Sequence, residues 1–285
     1  LLFHTPEGLL AKTWDGDELW RCETTMSAMN AKYTVITGDV VGKGRLIYAF
    51  DGERSHEDSS SVIGVKQRRI VADEAVVIDG HTGEVIARRR LPDVPYLELM
   101  RNFDYSFETA DMNGNGNVDI LLREWRKDCG GGGRNLWAFT PELELLWHAE
   151  VDPPYGHHNA VHFFDVDRDG KDEILAGGTL LTNAGSVLWQ HDMAMEMITT
   201  PHAGHYDACV VDFFAADADL DPTAFLVGGS AGLYVVDALT GETRAIHRVG
   251  HAQWGLKCKL RDDLPGSQVL VGTRWGNYGI VTLFS

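Results

Sequence analysis

Short apolar runs separated by polar turns recur along this chain, and they fall into two kinds of unit. The first is a hairpin of two apolar strands around a polar turn. It occurs at Leu9–Arg21 (LLAKTWDGDELWR), Val76–Arg88 (VVIDGHTGEVIAR), Leu136–His148 (LWAFTPELELLWH), Leu180–Gln190 (LLTNAGSVLWQ) and Leu233–Ile246 (LYVVDALTGETRAI). Every turn holds Gly, Pro, Asn or Asp, the residues that suit a tight reversal. The second unit precedes most of these hairpins: an apolar strand runs into an acidic loop and out into another apolar strand. His157–Gly178 (HHNAVHFFDVDRDGKDEILAGG) is the clearest copy, and related ones begin near Tyr33, Asp104, His205 and His251.

Joined, the two units make a repeat of four short antiparallel strands, the pattern of a propeller blade. The expected fold is all-β, a single β-propeller domain over residues 1–285 with about six visible blades. A partial blade covers 1–23, full blades cover 24–95, 96–150, 151–195 and 196–248, and a partial blade covers 249–285. At one end LLFHTPE reads as a second strand; at the other YGIVTLF reads only as a third. An open propeller leaves unpaired strand edges, so this pattern predicts either part of a ring of about seven or eight blades or a six-bladed ring closed through its incomplete ends.

The acidic loops carry the first candidate chemistry. In Asp165-Val-Asp167-Arg-Asp169-Gly170-Lys171-Asp-Glu173, side-chain oxygens fall at the first, third, fifth and ninth positions. The Lys171 carbonyl is available at the seventh, and Gly170 permits the sharp turn. That spacing suits a hard cation with six or more oxygen ligands, calcium (Ca2+) above all. An EF-hand would place Glu at the twelfth position; Ala176 stands there, and Ile174 and Leu175 open a strand. Asp111, Asn113, Asn115, Asn117 and Asp119 repeat the spacing with more amides and hence less ligand charge. Asp217, Asp219 and Asp221 offer a shifted third site, whereas the loops at Asp39 and at Arg261-Asp262-Asp263-Leu-Pro-Gly are degenerate.

Composition narrows the function. With 42 acidic against 25 basic residues the formal charge is −17, which argues against nucleic acid, a partner that needs a basic field. No run of about 18 apolar residues supplies a helical membrane span. Cys22, Cys129, Cys209 and Cys258 lack C-x-x-C spacing, which leaves isolated thiols or one or two bridges.

The D-x-D-x-D-G-x-x-E loops between short strands resemble the calcium-binding propeller repeats of the FG-GAP or VCBS type. More narrowly, GHHNAVHFFDVDRDGKDEILAGG, AGHYDACVVDFF, GHAQWGLKCKLRDDLPGSQVLVG and TRWGNYGIVTLF resemble the propeller of rhamnogalacturonan lyases of polysaccharide lyase family 11. The resemblance runs from about Asp104 onward. It implies cleavage beside a galacturonic acid by β-elimination, on an eight-bladed, calcium-loaded propeller.

Such a reaction needs a cation or arginine on the uronate carboxylate, a base for the C5 proton and a donor for the leaving oxygen. Gly-His recurs at His157, His205 and His251, spaced 48 and 46 positions apart and each just before a first strand. In a propeller these histidines converge on one end of the channel as an acid and base set. The alternative reading gives their imidazoles a capping role in the loops. His158 is the alternative to His157, and His162, alternating with apolar neighbours, reads as packing. Tyr206 and Asp207 follow one Gly-His, and Gln253 and Trp254 follow another, adding polar and stacking groups. Arg274 is the candidate for a carboxylate and Trp275 for a sugar face; Arg123, Arg126 and Lys127 read as a solvated charge run.

The sequence therefore points to a calcium-dependent lyase for an acidic polysaccharide, a monomer, extracellular or periplasmic. A different class remains open: a non-catalytic, calcium-loaded scaffold that binds a glycan or protein. The turns Asp79–Glu84 and Asp237–Glu242 also look like those of quinone-type propellers.

Overall fold

In the computed structural model, residues 1–5, 7–24, 35–40, 42–51, 54–58, 67–71, 74–91, 105–124, 135–151, 161–191, 206–214, 222–228, 232–275 and 279–285 are described. Among them every regular element is a β-strand, so the all-β expectation holds. The strands form six small antiparallel sheets of three or four, plus one two-stranded hairpin.

The first sheet contains β1 (Leu2–Thr5), β2 (Gly8–Lys12) and β3 (Glu18–Glu23). In the second, β4 (Val35–Val40), β5 (Gly44–Asp51), β8 (Glu74–Asp79) and β9 (Val85–Arg90) lie side by side. An additional hairpin, β6 (Arg54–Asp58) and β7 (Gln67–Val71), is inserted between β5 and β8. The third sheet is β10 (Tyr105–Ala110), β11 (Asp119–Glu124), β12 (Asn135–Phe139) and β13 (Leu145–Glu150). The fourth is β14 (Val161–Phe164), β15 (Glu173–Ala176), β16 (Thr179–Leu181) and β17 (Val187–Gln190). The fifth is β18 (Tyr206–Asp212), β19 (Thr223–Gly228), β20 (Gly232–Asp237) and β21 (Thr243–His247). The sixth has β22 (His251–Cys258), β23 (Gln268–Trp275) and β24 (Val281–Phe284). In each sheet the strands pair in sequence order.

The burial pattern follows from this order. Middle strands such as β8, β15 and β19 are continuous apolar runs because both their faces are covered. Fourth strands such as β9 alternate: Ile86, Arg88 and Arg90 are exposed, and Val85, Ala87 and Arg89 are half-buried. By its internal packing the chain divides into two compact units. One comprises Leu1–Asp111, Asn115–Lys127 and Leu136–His148; the other comprises Met112–Gly114, Asp128–Asn135 and Ala149–Ser285.

Within the first unit, Leu9, Ala11, Trp20 and Cys22 of the first sheet pack on Ile47, Ala49, Val76 and Ile78 of the second. The other face of the second sheet packs on the third, with Phe50 and Phe107 stacked at 4.2 Å. Within the second unit, Leu175, Leu180 and Trp189 of the fourth sheet meet Cys209, Val211 and Tyr234 of the fifth. Val210, Phe225 and Val227 then meet Ala252, Val269 and Val271 of the sixth.

The turns at Asp79–Glu84 and Asp237–Glu242 have a packing role here. Asp79 and Asp237 each accept two backbone N–H bonds from their own turn, 2.8 to 3.0 Å long. Each turn then receives a tryptophan from the last strand of the preceding sheet. Trp20 donates its indole N–H to the Gly80 carbonyl (3.0 Å), and Trp189 donates to that of Ala238 (2.8 Å). Gly83 and Gly241 both have φ of 77°, and a Cβ there would stand 2.7 and 2.9 Å from the indole. Glycine is needed twice over, for the backbone conformation and for room. Cys22, Cys209 and Cys258 are free thiols, and Cys129 lies outside the described residues.

Candidate functional site

Two sets of polar residues stand at opposite ends of the first strands. The acidic loop after β14 is built by its own carboxylates. Asp165 accepts the N–H groups of Asp169 (3.0 Å) and Gly170 (2.9 Å), Asp167 accepts that of Asp169 (3.1 Å), and Asp169 that of Lys171 (2.9 Å). These bonds wrap the loop so that carboxylate oxygens of Asp165, Asp167 and Glu173 lie within 4.8 Å of one another, an arrangement that could hold a metal ion. Two residues take the left-handed conformation, Gly170 (φ 88°) and Arg168 (φ 65°). The cost at Arg168 is offset in part by its guanidinium, which lies 4.2 Å from the centre of the Phe213 ring.

Glu173 is the electrostatic centre of this loop. Its side chain is buried, it opens β15, and its carboxylate accepts the Val166 N–H at 3.0 Å. Burial raises its pKa from 4.5 to about 7; the Val166 hydrogen bond opposes the rise, and the charges of Asp167, Asp169 and Asp165 add to it. A cation at the triad would supply the charge that this crowding lacks. Asp169 stands outside the triad, with its carboxylate 3.7 Å from the Lys171 ammonium.

The loop after β10 has the same internal wiring. Asp111 accepts the N–H groups of Asn115 (3.0 Å) and Gly116 (2.8 Å), and Asn115 accepts that of Asn117 (2.8 Å). Asp119, buried, opens β11 at the register position that Glu173 holds in β15. Asn113 lies in the same loop. Asp217, Asp219 and Asp221 lie outside the described residues.

At the other end of the strands, the fifth and sixth sheets bring together a polar group. Asp207 is 4% exposed and His251 is 8% exposed; His251 Nε2 lies 3.1 Å from one Asp207 oxygen. The amide of Gln253 donates to the other at 2.7 Å. The backbone register pairs His251 with Trp275, so Arg274 and Trp275 close β23 beside this group. Trp254 is 41% exposed, with its indole over Gly272, where a Cβ would come within 2.1 Å. His157, His158 and His205 lie outside the described residues.

Tyr206 takes a different place from the one expected of a channel group. It is fully buried, and its hydroxyl hydrogen-bonds His191 Nδ1 at 2.6 Å, while His191 Nε2 bonds the Thr243 hydroxyl at 2.8 Å. His191 follows a fourth strand with no motif around it, and nothing in its sequence neighbourhood marks it. Asp207 was legible only as a polar neighbour of Gly-His. Its pairing with a residue 44 positions away needed the fold. His162 behaves as packing: Nδ1 accepts the Val211 N–H at 3.2 Å, and burial first, then Lys257, hold its pKa below the usual value.

The two ends are well separated. His162 meets Val211, and Phe164 meets Phe213 at 5.1 Å, so β14 and β18 run in the same direction. Asp207 then lies about seven residues upstream of the level of Asp165, which at about 3.3 Å per residue is roughly 20 Å. A cation at the acidic triad is too far away to touch a group held at His251.

Comparison with solved structures supports the fold. The chain is similar to the exotype rhamnogalacturonan lyase YesX, with a TM-score of 0.66, 20% identity, and coverage of 97% of this chain and 49% of that one. Similar values hold for rhamnogalacturonan lyase YesW (TM-score 0.64, 16% identity, 97% and 49% coverage). They hold again for the Bacillus licheniformis rhamnogalacturonan lyase PL11 (0.62, 18%, 97% and 49%). This chain therefore spans about half the length of these structures, and identities this low show likeness of fold. No protein-family model and no curated protein matches the sequence. Among the described residues no helix is long and apolar enough to cross a membrane.

Proposed function

We propose that this chain is a calcium-loaded β-propeller, its six sheets serving as blades of one domain, that binds a uronic-acid-containing polymer such as rhamnogalacturonan and cleaves it by β-elimination. The observation that carries the reading is the hydrogen-bonded Asp207, His251 and Gln253 group at the strand starts. It occurs in a fold shared with solved rhamnogalacturonan lyases. In the reaction a base takes the C5 proton, the electron pair forms the C4–C5 double bond, the C4–O bond breaks, and the leaving oxygen is protonated.

We assign the base to His251, held by Asp207, with His157 or His158 and His205 as the further acid and base candidates. Arg274 would pair with the uronate carboxylate, and Trp254, Trp275 and Gln253 would receive the sugar. Tyr206, wholly buried, is left to packing. Calcium has a structural task in this account, since the triad of Asp165, Asp167 and Glu173 lies at the far end of the strands. The Asp111 to Asp119 loop is the second site, and Asp217, Asp219 and Asp221 the third. The expected setting is extracellular or periplasmic, where calcium is abundant, and the protein acts as a monomer.

A second reading, binding of a glycan without cleavage, is favoured by the burial of His251 at 8% exposure. One experiment separates the two. The protein is incubated with rhamnogalacturonan and with polygalacturonate in calcium, the ultraviolet absorbance of the unsaturated product is followed, and retardation in a polymer-containing gel is measured in parallel. Absorbance rising with either polymer supports the lyase. Retardation with flat absorbance supports binding alone, and neither signal removes both readings.

A further inference from the structure

We propose that the loop joining β22 to β23 is a metal-free counterpart of the two acidic loops, in which the ammonium of Lys259 stands where they would take a cation. The inference rests on the cation reading of those loops for its comparison and on the geometry of the sixth sheet for its substance.

Strand register aligns the three loops. Phe164 pairs with Glu173, Ala110 with Asp119 and Cys258 with Gln268. The residue after the first strand is therefore Asp165, Asp111 or Lys259, and the residue opening the second strand is Glu173, Asp119 or Gln268. The closing residue does the same work in the fourth and sixth sheets. Glu173 accepts the N–H of Val166, the second loop residue, at 3.0 Å. Gln268, fully buried, accepts the N–H of Leu260, also the second loop residue, at 2.9 Å, and that of Arg261 at 3.1 Å.

The charges differ. Asp165 and Asp111 point carboxylates at loop N–H groups, and around Asp165 the carboxylates of Asp167 and Glu173 gather. Lys259 instead donates its ammonium to the loop carbonyls of Leu264 and, at 2.7 Å, Gly266. Gln268 has no charge to neutralise, and its amide donates to Gly266 and Arg261 carbonyls at 3.2 and 3.4 Å. Carbonyl oxygens of the kind that would coordinate calcium are thus taken by one ammonium and one amide, both covalently part of the chain.

The consequence is a division of cation dependence along the chain. The third and fourth sheets rely on a bound ion, while the sixth, whose β22 carries His251 and Gln253, keeps its shape without one. Hydrogen exchange on the intact protein tests this, with the wild type, Lys259→Met and Lys259→Arg each measured in calcium and in chelator. The expected result is that chelation speeds exchange of the Val166, Asp169 and Gly170 amides and leaves Leu260 and Arg261 unchanged. Lys259→Met should speed Leu260 and Arg261 by about tenfold in both conditions, the size of one lost charged hydrogen bond, while Lys259→Arg stays near the wild type. Chelation that exposes Leu260 and Arg261 as much as Asp169 and Gly170 would overturn the proposal, as would unchanged protection in Lys259→Met. If chelation alters neither loop, the calcium reading fails, and the Lys259→Met result still decides this one. A Met variant that fails to fold beside an Arg variant that folds supports the need for the charge; failure of both variants counts against it.

Discussion

Replacing Glu173 by Gln isolates the charge of the acidic loop from its shape. The amide oxygen can still accept the Val166 N–H, and the side-chain volume barely changes. What disappears is a buried carboxylate whose pKa is raised from 4.5 to about 7. Between these values the folded protein holds a proton that the unfolded chain has released, so the stabilising effect of that proton is complete below pH 4.5 and is lost as pH rises through 7. Above pH 7, in chelator, the ionised wild type should be about 3 kcal/mol less stable for it, at 1.36 kcal/mol per pKa unit. Glu173→Gln escapes that penalty, so at pH 8 without cation the variant should melt about 5–10 °C higher than the wild type. With calcium the order should reverse, because the ion binds the native wild type by mass action and the variant has lost a charged ligand. Below about pH 4.5 the two should converge. Thermal melts followed by circular dichroism at pH 4, 6 and 8, with calcium and with chelator, check all three statements. A variant that melts below the wild type at pH 8 in chelator would refute the electrostatic reasoning.

Two other outcomes follow from the geometry. Gly241→Ala should destabilise by about 2 kcal/mol or more, since the φ of 77° and the Trp189 ring at 2.9 Å both oppose a Cβ; Ala substitution at an open glycine such as Gly16 (φ 97°) carries only the backbone cost, and paired melts would show the difference. His251→Ala should lower turnover on a uronic-acid polymer by about a hundredfold or more, and Asp207→Asn by a smaller factor; normal turnover per folded molecule in His251→Ala would remove that histidine from the chemistry.

Local chemistry carried much of this fold. Tight-turn residues at Asp15-Gly16, Asp79-Gly80 and Asn183 mark hairpins that need no distant partner to be read. The acidic loops were equally legible, because cation ligands must recur at fixed spacing. The β6 and β7 hairpin was missed, since RSHED and QRRIV show no apolar alternation to mark them as strands. Contacts between sheets were beyond reach for another reason. Trp20 finds Gly80 and Asp207 finds His251 only after the intervening strands are stacked, and no local pattern encodes that pairing. The Arg261-Asp262-Asp263-Leu-Pro-Gly loop reads as degenerate because a proline turn stands where ligands would lie, and the ammonium that meets its Gly266 carbonyl comes from Lys259, two residues before it.

The central claim is that the acidic loop serves stability while the strand starts serve chemistry. Asp167→Asn tests it most directly, with melting temperature and initial rate on rhamnogalacturonan measured on one preparation in calcium, well below the melting transition. The account predicts a lower melting temperature, a weakened response to calcium and an unchanged rate per folded molecule, since the triad lies roughly 20 Å from His251 along the strands. A rate that collapses while the melt stays at the wild-type value would contradict it.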